Sequence, residues 1–591
     1  MEKYQVSLTI NNIPVTVEEG STVLDAARKV NLHIPTLCNH PDLKVAGNCR
    51  VCVVEIKGQK ELSAACATPA TEDMEVFTNS RRVRTARKNI VELLLSEHNA
   101  DCTKCYRNGN CELQWLASEY RIGDHVFHDL VKEQEKIPDT SSWSLIKDDS
   151  KCIRCQRCVR TCNDLQDVGT FSVIKKGKRQ KVSTFLSKPL KEVFCIDCGQ
   201  CIVRCPTAAL SEKANYEEVW DVLETGKHVV ISTTPAVRAA IGEELGFEYN
   251  KHSDLKIVTA LKLMGFNSVV DYGFFTDIYI VELCTEFLLR MKQAQANEGS
   301  AKMPLISSGS PGWVKYAAEK HPELAGNLSD CKSPHQIFGA VVKSFYADKK
   351  ALDPKKIITV SVSPCTAAKA ESANPKMEVN GLKDVDFTIT TRELARMIRQ
   401  SGIDIERLPE TDYDNLTQIH SGASVLTELS GGTTEALIRT LYELITGNEL
   451  TPELLKIMPL RGQNGIKETV MKFTDVRADW DFLEGKELRF AVVNGTGNAA
   501  KFFGTLPEKE YHFVEVMACA GGCIGGGGQP IPVSAELVKA RSSILYSLDE
   551  INGVKKSHDN SALQDIFREF LKQPGSEKAK EILYKEVPKV N

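Results

Sequence analysis

Lys151-Cys152-Ile153-Arg154-Cys155-Gln156-Arg157-Cys158-Val159-Arg160-Thr161-Cys162 is echoed later in the chain by Cys195-Ile196-Asp197-Cys198-Gly199-Gln200-Cys201-Ile202-Val203-Arg204-Cys205-Pro206. Both runs read C-x2-C-x2-C-x3-C, the spacing with which bacterial ferredoxins hold two [4Fe–4S] clusters, the fourth cysteine of each run ligating the other cluster. One cluster is therefore expected on Cys152, Cys155, Cys158 and Cys205, and the second on Cys162, Cys195, Cys198 and Cys201. An unrelated metal site is the alternative, and the internal repeat argues against it.

Working outward, fifteen of the 20 cysteines precede Pro206. Residues 4–10 alternate as a strand, Asn11-Asn12 signals a turn, residues 14–17 read as the return strand, and Ser21 precedes a short helix carrying Val23, Leu24 and Ala27. A hairpin and helix followed by Cys38, Cys49, Cys52 and Cys66 suit a β-grasp domain with a [2Fe–2S] centre; a zinc site is the bland alternative. His98, Cys102, Cys105 and Cys111 follow an apolar helical stretch at residues 90–95. One imidazole and three thiolates can hold zinc. Between two iron–sulfur modules, a His-ligated [4Fe–4S] cluster is the better expectation. Lys104, Arg107, Arg154, Arg157 and Arg160 near these runs read either as charge compensation for clusters or, more commonly, as a solvated face.

Composition sets limits on the rest. The chain has 591 residues, 42% apolar and 26% charged, with a net charge of −4. That balance argues against a nucleic-acid binder driven by phosphate neutralisation. No apolar run is long enough to span a membrane, and the first residues lack the charge-then-apolar pattern of a secretion signal. A cytoplasmic location follows as an expectation, in which cysteines serve metal or redox chemistry rather than disulfides.

From about residue 216 the pattern changes to strands alternating with helices: strands at 229–232, 357–363 and 488–494, helices at 235–244, 391–400 and 435–446. This implies a large α/β domain with mainly parallel sheet. Three loops carry chemistry: Ser307-Ser308-Gly309-Ser310-Pro311-Gly312-Trp313, Ser363-Pro364-Cys365-Thr366-Ala367-Ala368-Lys369-Ala370-Glu371, and Glu515-Val516-Met517-Ala518-Cys519-Ala520-Gly521-Gly522-Cys523-Ile524-Gly525-Gly526-Gly527-Gly528-Gln529-Pro530. Their glycines are expected to allow close backbone approach to a cluster. Taken alone, Cys365, Cys519 and Cys523 read as ligands or as core thiols. Cys284 and Cys331 read as buried thiols, and His40, His128, His252 and His335 as structural residues.

With the front modules in this order and these three loops behind them, the chain resembles the catalytic subunit of [FeFe]-hydrogenases over nearly its whole length. The tail Lys555-Lys556-Ser557-His558-Asp559-Asn560 before a last helix adds to the likeness. The resemblance implies an H-cluster, a [4Fe–4S] cube joined by a cysteine to a diiron unit with cyanide and carbonyl ligands. Met517, Cys519, Cys523, Cys365, Lys369 and Glu371 match the family. The departures cluster in the pocket. Gly309 and Ser310 stand where the family has two cysteines, one passing protons and one ligating the cube. Ala368 stands for a lysine that contacts a cyanide, Leu283 for the inner glutamate of the proton route, and Thr427-Glu428 for a Phe-Gly pair. Glu282, Glu286, Arg290 and Ser329 of that route match.

The resemblance thus divides the chain into a [2Fe–2S] ferredoxin-like domain (1–78), a [4Fe–4S] module with one histidine and three cysteine ligands (79–137), a two-cluster ferredoxin domain (138–215), a hydrogenase-like H-domain with a degenerate site (216–530) and a small-subunit-like tail (531–591). It implies one [2Fe–2S] and three [4Fe–4S] clusters, with a further cube on Cys365, Cys519, Cys523 and Ser310. No diiron unit is expected, and no flavin or nicotinamide site, since a Gly-rich dinucleotide fingerprint is missing. The chain looks like the hydrogenase-type subunit of flavin-based electron-bifurcating complexes, with Stn-type NADH-dependent ferredoxin:NADP transhydrogenases the best fit. Partners would be a flavin- and NAD(H)-binding iron–sulfur subunit, an NADP(H)-linked flavoprotein and ferredoxin, in a hetero-oligomer. The alternatives are a working or sensory [FeFe]-hydrogenase with an altered pocket, and the large iron–sulfur subunit of respiratory NADH dehydrogenase, which would lack the three loops.

Overall fold

The structure, a computed structural model, describes residues 4–123, 137–250, 253–296, 302–379, 381–414, 419–451, 458–463, 465–504 and 509–585. His128 and His252 lie outside the described residues. The chain forms two compact units, and the expected 138–215 segment is divided between them. Unit 1 holds residues 1–165, 169–195 and 204–211; unit 2 holds 166–168, 196–203 and 212–591.

Unit 1 opens with the expected hairpin, Gln5–Ile10 against Ile13–Glu18, turned by Asn11 and Asn12 with φ of 47° and 64°. Positive φ at both turn positions matches the right-handed strand twist, which is why Asn-Asn serves there. The helix Val23–Lys29 is capped by Thr22 and Asp25 in a reciprocal box, one residue after the predicted Ser21. Three further short strands complete a five-stranded sheet whose apolar face and helix bury Leu8, Ile10, Val23 and Val54. The apolar stretch at 90–95 is the end of a longer helix, Arg81–Leu95, capped by Ser80.

Unit 2 contains two four-stranded sheets, mainly parallel as the alternation of strands and helices implies. In the first, Ser268–Asp271, His228–Thr233, Ile357–Val362 and Phe387–Ile389 run parallel. In the second, Leu305–Ile306, Phe513–Met517 and Glu487–Asn494 are parallel and Ile466–Lys472 pairs antiparallel at the edge. That edge strand alternates buried and exposed residues, a half-buried pattern unlike the continuous burial of Ile357–Val362. The helix Tyr272–Gln295 is buried on nearly every side through its first four turns. Its Phe274, Phe275, Ile278 and Phe287 join one core with Phe490 and Phe513, and with Leu563, Ile566, Phe567, Leu571 and Leu583 from the last stretch of the chain.

Candidate functional site

The three chemistry-bearing loops leave the carboxyl ends of parallel strands, where ligand sites of open α/β sheets lie. Ser307–Ser310 follows Leu305–Ile306, Cys365 follows Ile357–Val362, and Cys519 follows Phe513–Met517. They converge on a cavity of about 90 Å³ lined by Ser310, Cys365, Cys519 and Cys523, with Cys198 also in its wall. Cys365 is the N-cap of the helix Thr366–Ala373, and Ser310 that of Pro311–Lys320. Free amide groups at such ends favour negative charge, and the Ala367 and Ala368 amides turn to the Cys365 sulfur. Burial pushes the Cys365 thiol up to about 12. Burial raises the Cys523 thiol as well, so without a cation the Cys365 and Cys523 sulfurs stay protonated, and metal binding must release those protons. Three thiols and one hydroxyl, which accepts from the Ala518 amide at 3.3 Å, suit an iron–sulfur cube with oxygen or an exogenous group at one iron.

The glycine-rich loop reaches the cavity at Gly522 and Gly526 and also packs closely against backbone. A Cβ at Gly527 would meet Gly199 Cα and the Cys198 carbonyl at 2.5 Å, and one at Gly526 would meet the Pro364 carbonyl at 2.3 Å. These glycines let the loop pack against protein backbone at 198–199 and 364.

The departures have structural counterparts. A Cβ at Gly309 would lie 3.1 Å from the Tyr279 hydroxyl and 3.3 Å from its Cζ, so even a methyl group is crowded there. Lys369 does not substitute for a lysine at 368: it is buried in an ion pair with Glu393 at 2.8 Å and donates to Asn215. Leu283 sits in the apolar core. Glu428 stands in the cavity wall and is not an unpaired charge, because its carboxylate accepts the Ala236 amide at the start of the helix Pro235–Leu245. Burial pushes it up to about 7. His335 is also in the wall, with Nδ1 2.9 Å from Ser361 Oγ and Nε2 2.8 Å from Ser372 Oγ. Burial lowers it to about 3, which keeps it neutral.

The matching proton-route residues have structural work of their own. Glu286 accepts from Ser329 Oγ at 2.5 Å and Arg290 at 2.7 Å, while Arg290 donates to the carbonyls of Gly326 and Leu328 at 3.0 Å. Together they latch the 326–330 loop. Glu282 accepts from Tyr584 at 2.8 Å and the Gly575 amide at 3.1 Å, and burial pushes it up to about 7. Its folded pKa lies above the unfolded carboxylate value, so its contribution to stability is complete below about pH 4 and is lost as pH rises through 7. Glu282→Gln should flatten this loss, worth up to about 3 kcal/mol. Hydrogen exchange of rear-core amides at pH 5 and pH 8 checks it: the variant should be the better protected at pH 8. Cys284 and Cys331 are buried with their thiols 3.7 Å from the carbonyls of Leu437 and Leu583.

In unit 1 the sequence-grouped ligands come together. Cys52 and Cys66 sulfurs are 3.3 Å apart, Cys38 and Cys49 are their neighbours, and the amides of Asn48 and Cys49 donate to Cys38 Sγ. His98, Cys102, Cys105 and Cys111 line a cavity of about 170 Å³. Cys152, Cys155, Cys158 and Cys205 line another, the exchanged fourth cysteine included. Of the basic residues near the runs, Lys104 alone is a solvated side chain. Arg157 is buried, grips Glu112 through both carboxylate oxygens and donates to Asn39 O at 2.8 Å. Arg160 donates to the carbonyls of Cys38 and Cys155 at 2.5 and 3.5 Å. Arg107 donates to Cys205 O, and Arg154 pairs with Glu97. They clamp modules together, a role that spacing does not reveal because their partners lie far away in sequence. His40 is held down to about 4 by burial and the nearby Arg204.

Residues 227–527 match the family described as iron only hydrogenase large subunit, C-terminal domain. The NADP-reducing hydrogenase subunit HndD of Solidesulfovibrio fructosivorans is 40% identical over 590 residues, 98% of each chain. The chain belongs to the iron-only hydrogenase family. Iron hydrogenase 1 of Clostridium pasteurianum is 36% identical over 589 residues, covering 98% of this chain and 99% of that one. A solved variant of [FeFe]-hydrogenase HydA1 from Chlamydomonas reinhardtii aligns with a TM-score of 0.57 at 33% identity, over 63% of this chain and 98% of that one. Around the hydrogenase-like body, residues 3–81 match a 2Fe-2S iron-sulfur cluster binding domain. Residues 87–125 match the NADH-ubiquinone oxidoreductase-G iron-sulfur binding region, and 144–211 the NADH-quinone oxidoreductase subunit 3 ferredoxin-like domain. Residues 535–584 match the iron hydrogenase small subunit. The chain is thus an iron–sulfur oxidoreductase-family protein with 2Fe-2S and 4Fe-4S binding domains. Among the described residues no helix is long and apolar enough to cross a membrane.

Proposed function

We propose that this chain is the iron–sulfur electron-transfer subunit of a flavin-based electron-bifurcating complex, a cytoplasmic NADH/ferredoxin/NADP transhydrogenase, and that it performs no hydrogen chemistry. The observation that carries the second half is Tyr279 over Gly309. The position of a proton-passing thiol is empty of side chain and crowded by a phenol, Ala368 in the same cavity wall carries no amine, and Leu283 lies in the apolar core. Relatives support the first half: HndD is by name a subunit of an NADP-reducing hydrogenase, and the front domains match NADH-oxidoreductase iron–sulfur regions. The body itself need not mean hydrogen turnover, since cytosolic iron-sulfur assembly component 3 of Rattus norvegicus is 28% identical over 451 residues.

In this proposal the clusters sit on the sixteen front ligands given above, and a cube occupies Cys365, Cys519 and Cys523 with Ser310 at its fourth iron. The partners are a flavin- and NAD(H)-binding iron–sulfur subunit, an NADP(H)-linked flavoprotein and ferredoxin. Replacing Cys519 with Ala should lower bound iron by about four atoms per chain. Iron analysis of the two purified proteins checks this, and equal iron would mean that the rear cavity holds no cube.

A further inference from the structure

Between Cys162 and Cys195 the chain makes a hairpin, Ser172–Ile174 against Lys181–Ser183, and then a short helical turn, Phe185–Ser187. Both ends of this excursion are tied to cluster ligands. The Thr170 amide donates to Cys162 Sγ at 3.3 Å, and its hydroxyl to the carbonyl of Phe194, next to Cys195, at 2.8 Å. The inner side of the hairpin walls the neighbouring site: Phe171 and Val182 line the cavity of Cys152, Cys155, Cys158 and Cys205. Val182 is buried against the cavity, while its neighbour Lys181 is half-buried. One strand therefore separates the cavity from the outer surface.

That outer surface is strongly cationic. Residues 172–192 hold seven Lys or Arg and one acid, Glu192, in a protein whose net charge is −4. Lys175, Lys176, Arg179, Lys188 and Lys191 are exposed, and no acidic side chain pairs with them among the described residues. Beside these cations Phe185 and Leu186 are 70% and 76% exposed. Leu186 and Ser187 have φ of 50° and 57°. Non-glycine residues are disfavoured in this left-handed region, so the backbone is strained where it presents an apolar pair to water. A cationic rim around an apolar centre is the make-up of a steered, transient docking surface.

We infer that the 172–192 hairpin docks a small acidic one-electron iron–sulfur protein, with Phe185 and Leu186 as the apolar anchor. This rests on the proposed function and supplies the place of contact. One electron passes between the partner's cluster and the cluster proposed on Cys152, Cys155, Cys158 and Cys205; no bond changes and no proton moves.

The test uses the intact complex and, as probe, a purified bacterial ferredoxin of net negative charge. Two variants are compared with wild type: Lys175→Glu/Lys176→Glu/Arg179→Glu, and Phe185→Ser/Leu186→Gly. Wild-type affinity should fall as salt rises from about 50 to 300 mM, since surface charges are screened. The charge-reversed variant should bind at least about tenfold more weakly and lose that salt dependence. The apolar variant should bind more weakly with its salt dependence kept. NADH-driven reduction of an artificial dye should be unchanged in both. Ferredoxin binding and reduction at wild-type levels in both variants would overturn the surface while leaving the functional proposal standing. A wild-type complex that neither binds nor reduces ferredoxin would remove both. If charge reversal altered binding to duplex DNA or phosphatidylglycerol vesicles and left ferredoxin binding untouched, the hairpin would be an anion-binding surface of another kind and the inference would fail.

Discussion

Purified protein supplied with a synthetic diiron complex is expected neither to evolve nor to consume hydrogen, and its infrared spectrum should lack cyanide and carbonyl bands. Positioned proton donors contribute about 10²–10⁴ in rate, so the missing thiol at Gly309 alone places turnover far below a working enzyme. Leu283 then removes the next carrier, and Lys369 cannot replace the amine absent at Ala368 because Glu393 holds it. Gly309→Cys by itself should not restore activity, since its side chain must share space with the Tyr279 ring. Carbonyl bands together with hydrogen turnover in the unmodified chain would refute the proposal.

The second large effect concerns the relay. Cys198 is a proposed ligand of the two-cluster module and also lines the H-domain cavity. In the assembled complex, Cys198→Ala should reduce ferredoxin-linked NAD(P) turnover to background while a partner flavin's NADH diaphorase activity persists. Stopped-flow reduction followed in the visible range separates the two, because flavin bleaching should remain and cluster bleaching should diminish. Full ferredoxin-linked turnover in this variant would show that electrons travel by another route.

Much of this was legible in the sequence where chemistry depends on local spacing. Three ligand groups of the front modules, all but that of Cys162, Cys195, Cys198 and Cys201, come together as the cysteine intervals imply, and the helix at 391–400 appears with those bounds because Thr390 and Glu393 form a capping box visible as a short motif. What the intervals do not encode is tertiary. The edge strand Ile466–Lys472 escaped because its half-exposed alternation carries a weaker apolar signal than a buried strand. Glu428 read as a costly carboxylate because its partner, the Ala236 amide, is 192 residues away. Arg157 and Arg160 read as a solvated face for the same reason: their acceptors at Asn39 and Cys38 belong to another module. Tyr279 passed unremarked as one more apolar residue on a core helix. Only the distance from Gly309 shows that the ring occupies a functional position.

The last stretch of the chain has a consequence for biosynthesis. Leu563, Ile566, Phe567, Leu571 and Leu583 belong to the same core as Phe274, Phe287 and Phe490. A ribosome releases them after the other members of that core, and Tyr584 reaches back to Glu282 from 302 residues away. Domains fold as they emerge, N-terminal first. The front modules can therefore close and take up iron while the rear body still has an open wall. Cofactor delivery to the rear cavity has its widest window before residues 563–583 have emerged. A nascent chain stalled short of Leu563 should be the most receptive substrate for a cluster-inserting factor.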